Sequence, residues 1–203
     1  MAISKYQPIE ALQEAYDAGQ RMFGENHILE MAAKAEALPK DIEWHFTGHV
    51  QTNKIKYMAP FVSLIHAVDS YRLLREIDKH AAKHNRRIDC LLQIHIAQED
   101  TKYGLTIDEC RTLLATEPWR ELENVRIAGL MAMGSNTDDM EQVRGEFRQI
   151  KQLFDELKQT YFADEASFCH LSEGMTDDYP IAIEEGSTIV RIGSKIFGDR
   201  VYL

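Results

Sequence analysis

Short apolar runs alternate with longer amphipathic stretches along the whole of this chain, and that alternation limits its fold more than any single residue does. The apolar runs, at residues 2–5, 22–24, 42–47, 62–68, 88–96, 125–131, 167–171 and 188–192, have the length of strands. Between them the period changes to that of helices, with breaks at Gly19, Pro39 and Pro60. Pro8 suits the first turn of a helix to about residue 18, and Asn26 can cap one reaching about residue 38. A short helix is expected over 51–58, one capped by Asp69-Ser70 to residue 85, and others over 106–116 and 138–160. A polar loop covers 97–104, the loop at 172–177 leads to a helix near Glu184, and a last turn contains Phe197.

Eight parallel strands joined by right-handed helical crossovers close most naturally into a (β/α)8 barrel, with an open doubly wound sheet as the alternative. At 203 residues the chain is long enough for one buried core, so residues 1–203 are expected to form a single domain. In a barrel the loops that follow the strands share one rim. Lys5, residues 24–26, 47–49, 131–133, 172–176 and 191–194 are therefore expected to converge.

Charge and composition narrow the partners. Thirty-three acidic residues against 23 basic ones give a net charge of −10, which disfavours binding to nucleic acid phosphates. No apolar run approaches the roughly 20 residues that span a bilayer, so no membrane partner is expected. The three cysteines, Cys90, Cys110 and Cys169, are widely spaced and lack a C-x-x-C pair, which fits buried thiols in a reducing compartment. With no secretory leader at the start, a cytoplasmic protein is expected.

Among the rim residues Lys5 stands out, since a lysine at the end of a first strand can form a Schiff base if its amine is desolvated; a solvated lysine near a frayed terminus is the competing reading. The loop 172–177 and the Gly193-Ser194 turn each place small or hydroxyl residues between a strand and a helix start, where backbone N–H groups accept phosphate. In barrels the loops after strands seven and eight often do so, although caps and turns explain either loop alone. Arg191 ends the eighth run and needs an acceptor if buried, for which a structural ion pair also serves. Glu184-Glu185 reads as a solvated helix end. His45 and His49 straddle a strand and a turn, which argues against a metal pair, and His170 is read as structural. Packing of Trp44 and Phe46 accounts for the aromatic face of the third strand.

Several blocks together resemble the pyridoxal phosphate homeostasis proteins across essentially the whole length. They are Ala2-Ile3-Ser4-Lys5, Phe23-Gly24-Glu25-Asn26, the run from Trp44 to Lys54, Gly129-Leu130-Met131-Ala132-Met133, the run from Ile181 to Thr188, Val190-Arg191-Ile192-Gly193-Ser194 and Ile196-Phe197-Gly198. The resemblance implies a single barrel similar to that of alanine racemase, holding pyridoxal 5′-phosphate (PLP) as a Schiff base on Lys5. It further implies Asn26 near the cofactor ring, Ser172, Met175, Thr176, Gly193 and Ser194 on the phosphate side, Arg191 at the pyridine nitrogen, and Met133 and His49 lining the pocket. An arginine there leaves the ring nitrogen neutral and the cofactor a weak electron sink, which favours storage over turnover. The family is regarded as handling PLP without established catalysis, as monomers, with PLP-dependent apo-enzymes as recipients; a single-domain amino-acid racemase is the alternative. Two departures stand out. Four residues precede Lys5 where the family has an N-terminal helix and a longer first strand, so a barrel lacking that helix is expected. The family's Ser-Met-Gly-Met-Ser-x-Asp loop reads Ser172-Glu173-Gly174-Met175-Thr176-Asp177-Asp178 here, and the Glu173 charge is expected to point outward.

Overall fold

The structure, a computed structural model, describes residues 1–97 and 103–198. Strands and helices alternate as the sequence pattern requires: β1 (Ala2–Ile3), α1 (Ile9–Asp17), β2 (Met22–Glu25), α2 (Ile28–Ala37), β3 (Glu43–Phe46), α3 (Ile55–Met58), β4 (Leu64–Val68) and α4 (Tyr71–Ala82) form the first half. They are followed by β5 (Ile88–Ile94), α5 (Ile107–Thr116), β6 (Val125–Ala132), α6 (Met140–Tyr161), β7 (His170–Ser172), α7 (Tyr179–Glu184) and α8 (Ser194–Phe197). The strands form one parallel sheet in sequence order, β1 to β7, as a chain of crossovers winding in one direction produces.

The eighth expected run differs from the other seven. Instead of a ladder it makes isolated bridges, Ser172 with Ile189 and Ala2 with Ile192. Its hydrogen bonds nevertheless alternate as a strand's do. Ile189 and Arg191 bond to the β7 side, through Glu173 N–H to Ile189 O (3.1 Å) and Arg191 N–H to Gly174 O (2.9 Å). Val190 and Ile192 bond to the β1 side, through the Met1 amino group to Val190 O (3.0 Å) and Ile3 N–H to Ile192 O (2.7 Å). With only four residues shared between two edges, neither pairing is long enough for a ladder. Both edges of the seven-stranded sheet are thus tied to one segment. Of the loop expected at 97–104, residues 98–102 lie outside the described residues.

The main core lies between the sheet and the helices, with Phe23, Trp44, Phe46, Ile65, Leu92 and Leu130 from strands meeting Leu12, Met31, Leu74 and Ile150 from helices. A smaller cluster, Leu64, Ala67, Leu91, Ala128, Met131 and Ile189, draws only on strands and the 189–192 segment, so it fills the face turned away from the helices. Capping fixes the helix starts: Ser70 accepts from Leu73 N–H, Thr106 and Glu109 form a capping box, and Asp139 accepts from the N–H groups of Glu141 and Gln142. The pair Glu184 and Glu185 is not merely solvated, because Arg144 bonds both carboxylates and Arg148 bonds Glu185, tying α7 to α6. Cys90 and Cys110 are buried as expected, whereas Cys169 is exposed. Among the described residues no helix is long and apolar enough to cross a membrane.

Strands β6 and β7 approach so closely that only glycine fits at position 129. Gly129 has a φ of 151°, and a Cβ there would stand 1.8 Å from the carbonyl oxygen of His170. Gly129→Ala is therefore expected to destabilise the fold by more than about 3 kcal/mol through strain and a broken ladder, read as a lower urea midpoint.

Candidate functional site

Lys5 sits in the turn leaving β1, where Ser4 N–H donates to Gly24 O (2.9 Å) and Gln7 N–H returns to Ser4 O (3.0 Å). Tyr6 takes a positive φ of 63°, an uncommon conformation for a side-chain-bearing residue, and its N–H donates to the Glu30 carboxylate (2.7 Å). Beside this turn opens a cleft of about 590 Å³ lined by Lys5, Asn26, Phe46, Gly48 and His49, among others. Asn26 does not cap α2, whose N-cap is His27 without a side-chain bond. Instead its Oδ1 accepts from the Thr47 hydroxyl (2.7 Å), which leaves the amide NH2 as its donor. The loops after β2 and β3 touch at Gly48, where a Cβ would meet Asn26 O at 2.3 Å. The His49 ring packs against Tyr103 with centroids 4.5 Å apart.

The far end of the chain arrives at the same rim. Since Ile192 pairs with Ala2 and Ile3, the next residue, Gly193, passes beside Ile3, with a notional Cβ 3.5 Å from Ile3 O. Ser194 then opens α8 and its hydroxyl lies 3.3 Å from that of Thr176, joining the loop after β7 to the turn after Ile192. Met133 and Met175 are exposed; Met175 lines a separate pocket of about 160 Å³ with Gly134, Ser135 and Asp177. Lys5, Asn26 and His49 thus share one cleft, Gly193, Ser194 and Thr176 gather beside it, and neither methionine lines that cleft.

Ser172 and Arg191 lie deeper. Arg191 is almost fully buried, and burial lowers its pKa to about 10, opposed by the charges of Glu173 and Asp178. Its Nη1 donates to Ser172 O and Oγ (both 2.8 Å), and its Nη2 to Ala132 O (2.9 Å). Of five guanidinium N–H groups these use three. Ser172 Oγ also lies 2.9 Å from His66 Nδ1, and His66 Nε2 lies 3.0 Å from His45 Nδ1. Arginine can only donate, so Ser172 Oγ accepts from it, while the donor and acceptor roles along Ser172, His66 and His45 follow the imidazole tautomers. Burial keeps both imidazoles neutral, lowering His45 to about 3 and His66 well below the usual value. Ser172, expected on the phosphate side, has its buried hydroxyl against Arg191 and His66. Sequence reasoning missed His66, since one histidine inside an apolar strand carries no spacing signal.

Glu173 is the larger correction. Its charge was expected to face outward, yet the side chain is fully buried and neither carboxylate oxygen has a hydrogen-bond partner. Side chains alternate across a strand, so with Ser172 turned to the concave face Glu173 faces the helical layer. Burial raises its pKa to about 8, with Arg191 opposing and Asp178 and Glu185 adding to the rise. With a pKa near 8 the carboxyl is mostly protonated at neutral pH, which leaves Asp178, the acceptor for Met175 N–H, as the charged carboxylate beside it.

Comparison with known proteins shows the family and the fold. Residues 5–201 match the model of the alanine racemase N-terminal domain family. The chain is 42% identical over 203 residues to the pyridoxal phosphate homeostasis protein of Aquifex aeolicus, covering 100% of this chain and 87% of that one. Among solved structures it matches PipY of Synechococcus elongatus with PLP bound, at 34% identity and a TM-score of 0.88, over 98% of this chain and 91% of PipY. Alanine racemase of Bartonella henselae, 16% identical, shares the fold alone, with a TM-score of 0.69 over 98% of this chain and 54% of the racemase.

The raised pKa of Glu173 has a definite sign in stability. The unfolded chain ionises this group near pH 4.5 and the folded chain near 8, so its contribution to stability is intact below the first value and is lost as pH rises through the second. Glu173→Met is expected to stabilise the protein by an amount that grows between pH 5 and pH 9 to a few kcal/mol, measured as the difference in denaturant midpoints at each pH.

Proposed function

The chain belongs to the pyridoxal phosphate homeostasis proteins within the alanine racemase N-terminal domain family, and from this we propose that it carries PLP covalently on Lys5 and serves PLP homeostasis in the cytoplasm. The observation that carries the reading is the meeting of Lys5, Asn26 and His49 in one cleft with Gly193, Ser194 and Thr176 beside it. Bound PLP supplies an aldehyde that condenses with a primary amine. Lys5 is the amine on the rim. Thr176, Gly193 and Ser194 contribute hydroxyl and backbone donors suited to a phosphate, with Met175 in the same loop. Asn26 retains an amide donor for the ring, and Arg191 retains two N–H groups after its three protein bonds, enough to reach a ring nitrogen without surrendering a proton. His49 forms a wall of the cleft, which Met133 does not line. Ser172 enters as the support of Arg191.

The alternating bonds of residues 189–192 support a (β/α)8 barrel closed by that segment, with residues 1–203 as its single domain, acting as a monomer that passes cofactor to PLP-dependent apo-enzymes. A racemase is not favoured, since the relatives bear the names of homeostasis proteins and not of enzymes.

Purified protein incubated with PLP is expected to absorb as a lysine adduct, and borohydride reduction followed by peptide mass spectrometry is expected to place the adduct on Lys5. In Lys5→Ala both signals should vanish. Unchanged absorbance in Lys5→Ala overturns the attachment site, and the lack of any reduced adduct on the wild type leaves only a barrel that binds a phosphorylated metabolite without covalent chemistry.

A further inference from the structure

Beneath the Lys5 turn lies a buried ionic cluster that the cofactor reading does not use. The Lys34 ammonium, on α2 and 4% exposed, is 2.7 Å from each of three acceptors: Ser4 O, Glu25 Oε1 and Glu30 Oε1. Three donors meet three acceptors, so the ammonium is fully satisfied without water. Glu25 Oε1 also accepts from the Ser4 hydroxyl (2.6 Å), and Glu30 Oε1 from Tyr6 N–H (2.7 Å). Burial pushes the Glu25 carboxyl up, opposed chiefly by the Lys34 charge. The residue before Lys5 is therefore held by its carbonyl and hydroxyl, and the residue after it by its amide.

This arrangement is more than a generic buried ion pair. A positive φ at Tyr6 costs on the order of 1 kcal/mol or more and persists only where surrounding bonds impose it. The Tyr6 N–H bond to Glu30 imposes it from one side and the Lys34 bond to Ser4 O from the other. Between these two fixed points the chain has one residue, and that residue is the proposed attachment lysine.

We propose that Lys34 and Glu30 are positioning residues that aim Lys5 for covalent capture of PLP by clamping the backbone on both sides of it. The inference rests on the attachment of PLP to Lys5. Without the clamp the turn relaxes toward negative φ, and Lys5 leaves the direction that the cleft requires. Covalent capture is sensitive to this because reacting atoms must meet within a narrow range of distance and angle. Binding through phosphate and ring contacts is not, because those contacts come from other loops.

The test separates the two. Wild type, Glu30→Ala and Glu30→Gln are titrated with PLP and with 4′-deoxypyridoxine 5′-phosphate, which keeps ring and phosphate but lacks the aldehyde. Glu30 is partly exposed, with a side-chain exposure of 25%, so its replacement leaves the core intact. Glu30→Ala is expected to bind PLP about tenfold more weakly or worse, with slower growth of the adduct absorbance, while affinity for the deoxy analogue is unchanged. Glu30→Gln keeps an acceptor oxygen for both Tyr6 N–H and Lys34 and is expected to restore PLP binding. A second variant, Lys34→Met with Glu25→Leu, takes both charges out of the core together and is expected to show the same selective loss. Wild-type PLP affinity in these variants, or equal loss of both ligands, overturns the positioning role while Lys5 attachment stands. If Lys5→Ala binds PLP as the wild type does, attachment itself fails and this inference falls with it.

Discussion

Residues 189–192 bond to both edges of the sheet, and the site depends on those bonds. An edge strand presents unpaired N–H and C=O groups that must be satisfied. Here the edges of β1 and β7 are satisfied by a single segment, which brings Val190 to Met1 across a sequence separation of 189 residues. Loop closure over such a distance costs only slowly more than over a short one, so consecutive βα units can accumulate before it occurs. Once it has, the Gly193-Ser194 turn has no choice but to emerge beside Lys5. The location of the cleft follows from backbone pairing before any cofactor is considered.

Behind the cleft the concave face carries polar groups that the strand pattern does not advertise. His45, His66, Ser172 and Arg191 are buried, and their cost is met by a chain of hydrogen bonds that ends on the guanidinium of Arg191. Such a chain is tightly specified: removing any acceptor strands a buried donor. It also restricts the guanidinium, which is fixed by Ser172 and Ala132 before any ligand arrives. A preorganised donor costs less to bind against than one ordered at the moment of binding.

The parts of this protein that were legible in its sequence are those written in local pattern. Apolar runs marked seven strands, and Ser70 and Thr106 marked helix starts, because period and capping are properties of adjacent residues. The barrel rule and the family blocks together drew attention to Lys5, Asn26 and His49, which line one cleft. What was not legible depended on distant partners. Asn26 looked like a cap, but Thr47 from the next strand competes for its oxygen. Glu173 looked like a surface charge because glutamate usually is one, and only the alternation after Ser172 turns it inward. Lys34 did carry a signal, since it falls with Ile28, Met31 and Ala35 on the buried stripe of α2, where a lysine needs a partner. Its partners, however, lie on β2 and at the end of β1.

Lys34 and Glu173 show two opposite ways of keeping an ionisable group out of water. Around Lys34 the fold supplies an acceptor for every proton, and the group becomes a clamp. Around Glu173 it supplies no donor to either oxygen, and the group gives up its charge. The first solution holds the β1 side of the cleft, on both sides of Lys5. The second leaves the β7 side, where the loop from Gly174 to Thr176 begins, anchored on a residue whose ionisation the fold opposes. A carboxylate formed there repels Asp178 and Glu185, so rising pH acts against this loop through the same residue that weakens the fold. Methionine at this position would lack that dependence, so the glutamate places a pH response in this chain between Ser172 and Gly174.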